Sequence, residues 1–282
     1  IVTKDFQWNS TITFARNKEQ VKSIDLGSAT TVDNLVSLGL FLGHPKNTVY
    51  GYKKLGIWQK EEAADAAAFG LLPGDTKVQS RLVKKSDGVW TLTDEEGNVT
   101  EYTAENPYTI ASDDRVIMGQ TSPKWNFGFN NSFTYKGFDL NAFFYGVQGI
   151  DVNTYSVKSE TDFWSINDVR SNKGTRLLNA WSTNNPNSDI PAITALNTND
   201  EGRLSTYFIE NGSFMKLRNL QLGYTLPKKL TEKIYMEKCR IYVSGQNLFT
   251  IKSKKFSGVD PENAAFRYQI PTTFTVGLNI GF

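Results

Sequence analysis

Cysteine and histidine are almost missing from this 282-residue chain, which has one of each, Cys239 and His44. The single cysteine excludes a disulfide framework and any cysteine-based zinc centre. The single histidine all but excludes histidine-dependent catalysis and His-rich metal binding. Excess charge is lacking too: 31 Lys+Arg against 29 Asp+Glu leave a formal +2. A nucleic-acid binder would need a concentrated basic face, so that class is set aside. No apolar run approaches the roughly 18 residues of a helical span, and mean hydropathy is -0.40. A membrane β-barrel is untouched by that exclusion, because its strands alternate apolar and polar residues and average out as hydrophilic. Aromatics are what the chain has in plenty, at 13%: 18 Phe, 12 Tyr and 6 Trp. The first residues, IVTKDFQW, carry neither an initiator Met nor a signal-peptide apolar core, and read as the interior of a longer chain.

Long stretches of strict period-2 alternation predict strands with two unlike faces. In residues 5–16, Phe6, Trp8, Ile12 and Phe14 oppose Gln7, Asn9, Thr11 and Thr13. In residues 124–135, Trp125, Phe127, Phe129, Phe133 and Tyr135 oppose Asn126, Gly128, Asn130, Ser132 and Thr134. Lys136-Gly137 is a hairpin signal, and Phe138, Leu140, Ala142 and Phe144 continue the pattern through residues 138–148. Further strands are expected at 213–226, 239–251 and 272–282, the last with Phe274, Val276, Leu278, Ile280 and Phe282 in phase. About ten residues per strand suits a tilted bilayer crossing. The opposite face is built of Asn, Thr, Ser, Gln and Gly, which suits a wet lumen. A soluble antiparallel sandwich is the alternative on pattern alone.

Connections alternate sharply in length. Lys136-Gly137 is minimal and residues 227–238 form a short link, whereas 17–122 and 150–212 are long. Short turns on one rim and long loops on the other are the layout of outer-membrane barrels. The fold expected is therefore all-β: about six strands of a larger antiparallel transmembrane barrel, with long extracellular loops. Within the first loop, Lys60–Leu72 (KEEAADAAAFGLL) predicts a short helix.

Several of these segments resemble one family. Asn211–Pro227 (NGSFMKLRNLQLGYTLP), Cys239–Thr250 (CRIYVSGQNLFT) and Val259–Asn263 (VDPEN) are similar to the C-terminal barrel of SusC/RagA-type TonB-linked outer-membrane proteins. So are Val49–Gln59 (VYGYKKLGIWQ), Leu72–Thr76 (LPGDT), Asp113–Pro123 (DDRVIMGQTSP) and Trp125–Gly137, in family order. The resemblance implies a plugged barrel of about 22 strands in all and active import of a nutrient oligomer, a glycan first and a peptide as the alternative substrate. It implies a SusD-like surface lipoprotein as lid, TonB acting through a plug and TonB box that this chain lacks, and residence in the outer membrane of a Gram-negative bacterium. It also implies that the terminal strand (Phe274, Val276, Leu278, Ile280, Phe282) is taken up by the barrel assembly machinery. A calcium-type loop often precedes the DDR-like stretch in such relatives. Here Thr93–Asn98 (TDEEGN) lacks the regular oxygen spacing, so no cofactor is expected. A non-TonB porin and a soluble secreted carbohydrate-binding β-sandwich are the rival readings.

The aromatics divide into two sets. Trp8, Trp125, Tyr135 and Tyr224 lie at strand ends and suit interfacial girdles against membrane lipid, with core packing as the alternative. Trp58, Trp90, Trp164 and Trp181 lie in long loops, where they could stack on sugar rings or pack the loops together. An enzyme is not expected. The acidic clusters Glu61-Glu62, Asp94–Glu96 and Asp113-Asp114 are sequence neighbours on loops, not two acids held about 5–9.5 Å apart across a cleft.

Overall fold

The computed structural model describes residues 1–24, 39–158, 172, 174–193, 203–264 and 268–282. Its main element is one six-stranded sheet of β1 (Phe6–Ala15), β2 (Trp125–Tyr135), β3 (Phe138–Gln148), β4 (Phe214–Thr225), β5 (Lys238–Lys252) and β6 (Thr273–Gly281). The strands lie in chain order and every neighbouring pair is antiparallel. Alternation then fixes the rims. Lys136-Gly137, with φ of 47° and 90°, closes β2–β3 as a tight turn. Residues 226–237 close β4–β5 on the same rim, while the three longer connections share the opposite rim.

Register carries each side-chain type across the whole sheet. One row runs Trp8, Phe133, Leu140, Leu222, Val243 and Val276. On the other face runs Asn9, Ser132, Asn141, Gln221, Ser244 and Thr275. No second sheet covers the apolar face among the described residues: Ile12 is 72% exposed and Val276 78%. A sandwich would bury that face as its core. A barrel wall leaves it for lipid.

Two irregularities shape the wall. At β3–β4 the adjacent Phe143 and Phe144 pair with Asn219 and Leu217, so Arg218 bulges out of that ladder, while on β5 two residues, Asn247 and Leu248, face it. Opposite it, Asn247 adopts φ of 53°. No helix among the described residues is long and apolar enough to cross a membrane.

The first long connection departs from a plain loop. It holds short two-stranded pairings and a three-stranded sheet of residues 83–84, 90–93 and 99–102. These close over a core of Trp58, Ala66, Ala68, Phe69, Leu71, Leu82 and Tyr108, with Trp90, Leu92, Tyr102 and Ile110 packed against it. The helix expected over Lys60–Leu72 is shorter: a 3-10 turn at Lys60–Glu62, then Ala63–Ala67. Gly70, at φ of 66°, turns the chain back so that the Leu71 N–H donates to the Ala66 carbonyl.

Candidate functional site at the loop rim

Three connections converge above the sheet. Backbone bonds join the first to the second: Tyr52 N–H to Leu204 carbonyl at 3.0 Å, and Thr206 N–H to Tyr52 carbonyl at 2.8 Å. The Lys54 N–H donates to Thr206 Oγ1 at 2.9 Å, and the Trp181 indole N–H to Gln59 Oε1 at 3.1 Å. Asp151 accepts from the Gln120 N–H at 2.9 Å. Its carboxylate lies where a Cβ on Gly119 would come within 2.3 Å, which explains a glycine there. The second loop closes at its base through residues 151–153 paired with 209–211.

Between these loops opens a cleft of about 820 Å³, lined by Lys54, Lys158, Arg176, Tyr207, Glu210 and Lys255 among others. The ammonium groups of Lys54 and Lys158 lie 4.2 and 4.0 Å from the Tyr207 ring centre, a cation–π arrangement. Glu210 pairs with Lys158 at 2.7 Å and accepts from the Ser257 N–H at 2.7 Å and its hydroxyl at 3.0 Å. The cleft thus carries both charge signs around one phenol ring. It holds no arrangement of nucleophile and base.

Of the sequence-predicted loop tryptophans, Trp58, Trp90 and Trp181 do not line this cleft. Trp58 is 2% exposed and packs on Phe69 at 5.5 Å between ring centres. Trp181 is 9% exposed, its indole spent on Gln59. For these two, stacking on sugar gives way to packing, because an indole face already covered by protein cannot meet a ligand. Trp90 is half-buried, edge-on to Phe69 at 5.2 Å, and donates to Asp65 Oδ1 at 3.0 Å. Trp164 lies outside the described residues.

One residue from each of the three acidic clusters braces the loop. Asp114, 3% exposed, accepts from the Tyr108 hydroxyl at 2.7 Å, the Ala111 N–H at 2.8 Å and the Arg81 N–H at 2.9 Å. Burial, reinforced by that bond to Asp114, pushes the Tyr108 phenol up to about 12. Glu62 pairs with Lys77 at 2.6 Å. Burial alone would raise its pKa, but Lys77 and the Gln59 N–H outweigh that and hold it below the usual carboxylate value. Asp94 accepts from the side chain and N–H of Asn98 and from the Glu96 N–H, and these bonds lower its pKa. Its carboxylate therefore closes its own turn. The signal for Asp114 was present as the second residue of the DDR-like stretch, but nothing local revealed its partners at Arg81 and Tyr108.

Of the strand-end aromatics, Tyr135 and Tyr224 sit at the turn rim in one row, with Phe138 between them and Phe6 on the far side of Tyr135. The Phe138 and Tyr224 rings are 4.5 Å apart. Trp125 stands at the loop rim, 5.6 Å from Phe14. Trp8 lies one row in from the turn rim, stacked on Phe133 at 5.9 Å, and donates to Asn131 at 3.1 Å. Phe274, Val276, Leu278 and Ile280 face outward on β6, and Phe282 follows the strand end.

A meandering wall with an apolar outer face, a mainly polar inner face and folded loops on one rim is a segment of a transmembrane β-barrel. No protein-family profile matches the chain. Whole-length matches do exist. The chain is 30% identical to TonB-dependent receptor P3 of Formosa agariphila, over 100% of the chain and 27% of that protein. It is 26% identical to TonB-dependent receptor SusC of Bacteroides thetaiotaomicron, over 100% of the chain and 25% of that protein. It superposes on the solved RagAB peptide transporter with a TM-score of 0.67 at 23% identity, covering 100% of the chain and 28% of that structure. The chain is a segment of a SusC/RagA-type TonB-dependent receptor, spanning about a quarter of the length of the relatives it matches.

Proposed function

We propose that this segment forms wall, lumen lining and mouth of an outer-membrane barrel that actively imports a nutrient oligomer. One observation carries the reading: a single sheet presents an uncovered apolar face outward and a mainly polar face inward, interrupted by Phe143, Val147 and Phe214, beneath an ionic cleft at the loop rim. A plug and TonB box elsewhere in the longer protein would energise transport, and a SusD-like surface lipoprotein would lid the loop rim. Exposed apolar side chains at that rim, Leu55, Leu72, Leu178 and Ile193, offer such a lid a surface. The girdle aromatics and the outward residues of β6 would meet lipid, and the terminal strand would engage the barrel assembly machinery. The segment itself performs no chemistry.

The substrate reading turns on the cleft. With Trp58 and Trp181 buried, two of the stacking faces that favoured a glycan are gone. Arg176, Asp189 and Lys255 at the cleft surface, backed by the buried Lys158–Glu210 pair against Tyr207, fit an oligomer carrying charges of both signs, as a peptide does. The deciding experiment deletes the gene for the full-length protein and follows uptake of a fluorescent neutral-glycan ladder and a fluorescent peptide ladder. Loss of peptide uptake alone, restored by the intact gene but not by Lys158→Ala with Lys255→Ala, is the expected result. Unchanged uptake of both ladders would sink the import reading.

A further inference from the structure

Lys216 stands on the inner face of β4, in register with Tyr145 on β3 and Thr250 on β5, yet its side chain is 1% exposed. The β5–β6 connection is what covers it. Asp260 Oδ2 lies 2.6 Å from its ammonium, and Glu262 pairs with the same ammonium and with the Arg218 guanidinium. The bulge at Arg218 is what brings a second cation to this side, steadied by Asn247 Oδ1 at 3.4 Å. Both carboxylates belong to Val259–Asn263, the VDPEN stretch. The Glu262 N–H donates to Asp260 Oδ1 at 2.9 Å, which fixes the spacing of the two acids. Nearer β5, Lys252 donates to the carbonyls of Gly258 and Val259 at 2.6 and 2.5 Å. Ser257 is tied to Glu210 at the cleft. Residues 253–263 are therefore pinned at three places and lie inside the wall, at the rim where the long loops stand.

A buried ammonium is tolerated only while it is paired. If the two acids were neutralised, something would have to move to let water in. β4 is hydrogen-bonded along both edges, whereas the covering segment has no ladder of its own and is held by these polar contacts and the single buried aromatic ring of Phe256, so the segment gives way first. We infer that residues 253–263 form a strap clamped to the inner wall by Lys216 and Arg218. By narrowing the mouth, the strap sets the longest oligomer that the passage admits. The size limit rests on the import reading above; the clamp does not.

The test uses the full-length protein in its own outer membrane, with every native cysteine replaced (Cys239→Ser within this segment) and Thr250→Cys as reporter beneath the strap. Asp260→Asn with Glu262→Gln leaves the wall sequence intact. In that variant the reporter should react with a membrane-impermeant maleimide about ten-fold faster, and the longest imported member of the ladders should lengthen. Lys216→Met, which replaces the ammonium by an apolar chain, should also speed the reaction, separating loss of the clamp from the effect of a stranded charge. If it fails to reach the membrane, the loop variant decides alone. Unchanged reactivity in a variant with normal heat-modifiable mobility would overturn the clamp. Faster reaction with an unchanged length limit would overturn the size-setting role. If the parent imports neither ladder, the import reading and the size limit fall with it, and the maleimide rates still decide the clamp.

Discussion

The wall and the loop platform place their apolar surface in opposite ways. On the wall the large apolar side chains point away from the protein, Ile12 at 72% and Val276 at 78% exposed. In the first loop they point inward, Trp58 at 2% and Phe69 at 7%. The physical rule is the same in both, since apolar area leaves water at about 25 cal/mol per Å². What differs is the medium that receives it. The wall needs lipid to complete it, while the loop carries its own core and can hold its shape in water. The inner wall is the third case: there, polar residues remain in ladders and ions must be paired, as Asp139 is with Arg240 at 2.8 and 2.5 Å.

That contrast breaks most sharply at Trp58. Trp58→Ala should remove about 3–5 kcal/mol from the loop core, enough to unfold a small unit. Limited proteolysis should then cut within residues 40–123, while the barrel keeps its heat-modifiable mobility on gels. Loss of both together would mean that the loop and wall fold as one unit. On the wall, Ile12→Arg should cost about 2–4 kcal/mol near the bilayer middle, against little for Thr11→Arg on the inner face. Denaturant midpoints of the full-length protein refolded into lipid vesicles would measure the difference. Equal costs would contradict the assignment of faces.

How much of this was legible follows from the same contrast. Strands with two unlike solvents write their periodicity into ten or more consecutive residues, so β1 to β6 and their rims are readable from alternation alone. The bulge at Arg218 is not, because alternation continues on both sides of it and only the pairing of the adjacent Phe143 and Phe144 with Asn219 and Leu217 reveals the extra residue. The loop core escaped for another reason. Its strands are two to five residues long, and Trp58, Leu82 and Tyr108 meet across wide sequence gaps. Trp58 and Trp181 therefore read as exposed loop aromatics until their partners are seen. Asp114 shows the same gap on the polar side: its neighbour Asp113 is an exposed ion-pair partner of Arg81 at 3.3 Å, and no local pattern separates the two.

Smaller effects sharpen the loop's side of the comparison. Asp114→Ala strands the Tyr108 hydroxyl and two backbone N–H groups, so it should cost about 1–3 kcal/mol. Accelerated hydrogen exchange at Arg81 and Ala111, with the wall strands unchanged, would report it. Tyr108→Phe is milder, because Asp114 keeps its two N–H donors; about 1 kcal/mol is expected. Its signature lies in pH. An unfolded tyrosine titrates near 10, whereas folded Tyr108 is pushed to about 12. A raised folded pKa means that the native loop holds its proton more tightly, so the contribution is whole below about pH 10 and is lost as pH rises toward 12. The loop of the parent protein should therefore become more sensitive to exchange through that window, and the Tyr108→Phe protein should show a smaller change. An identical alkaline profile in the two would show that Tyr108 does not govern the loop's response.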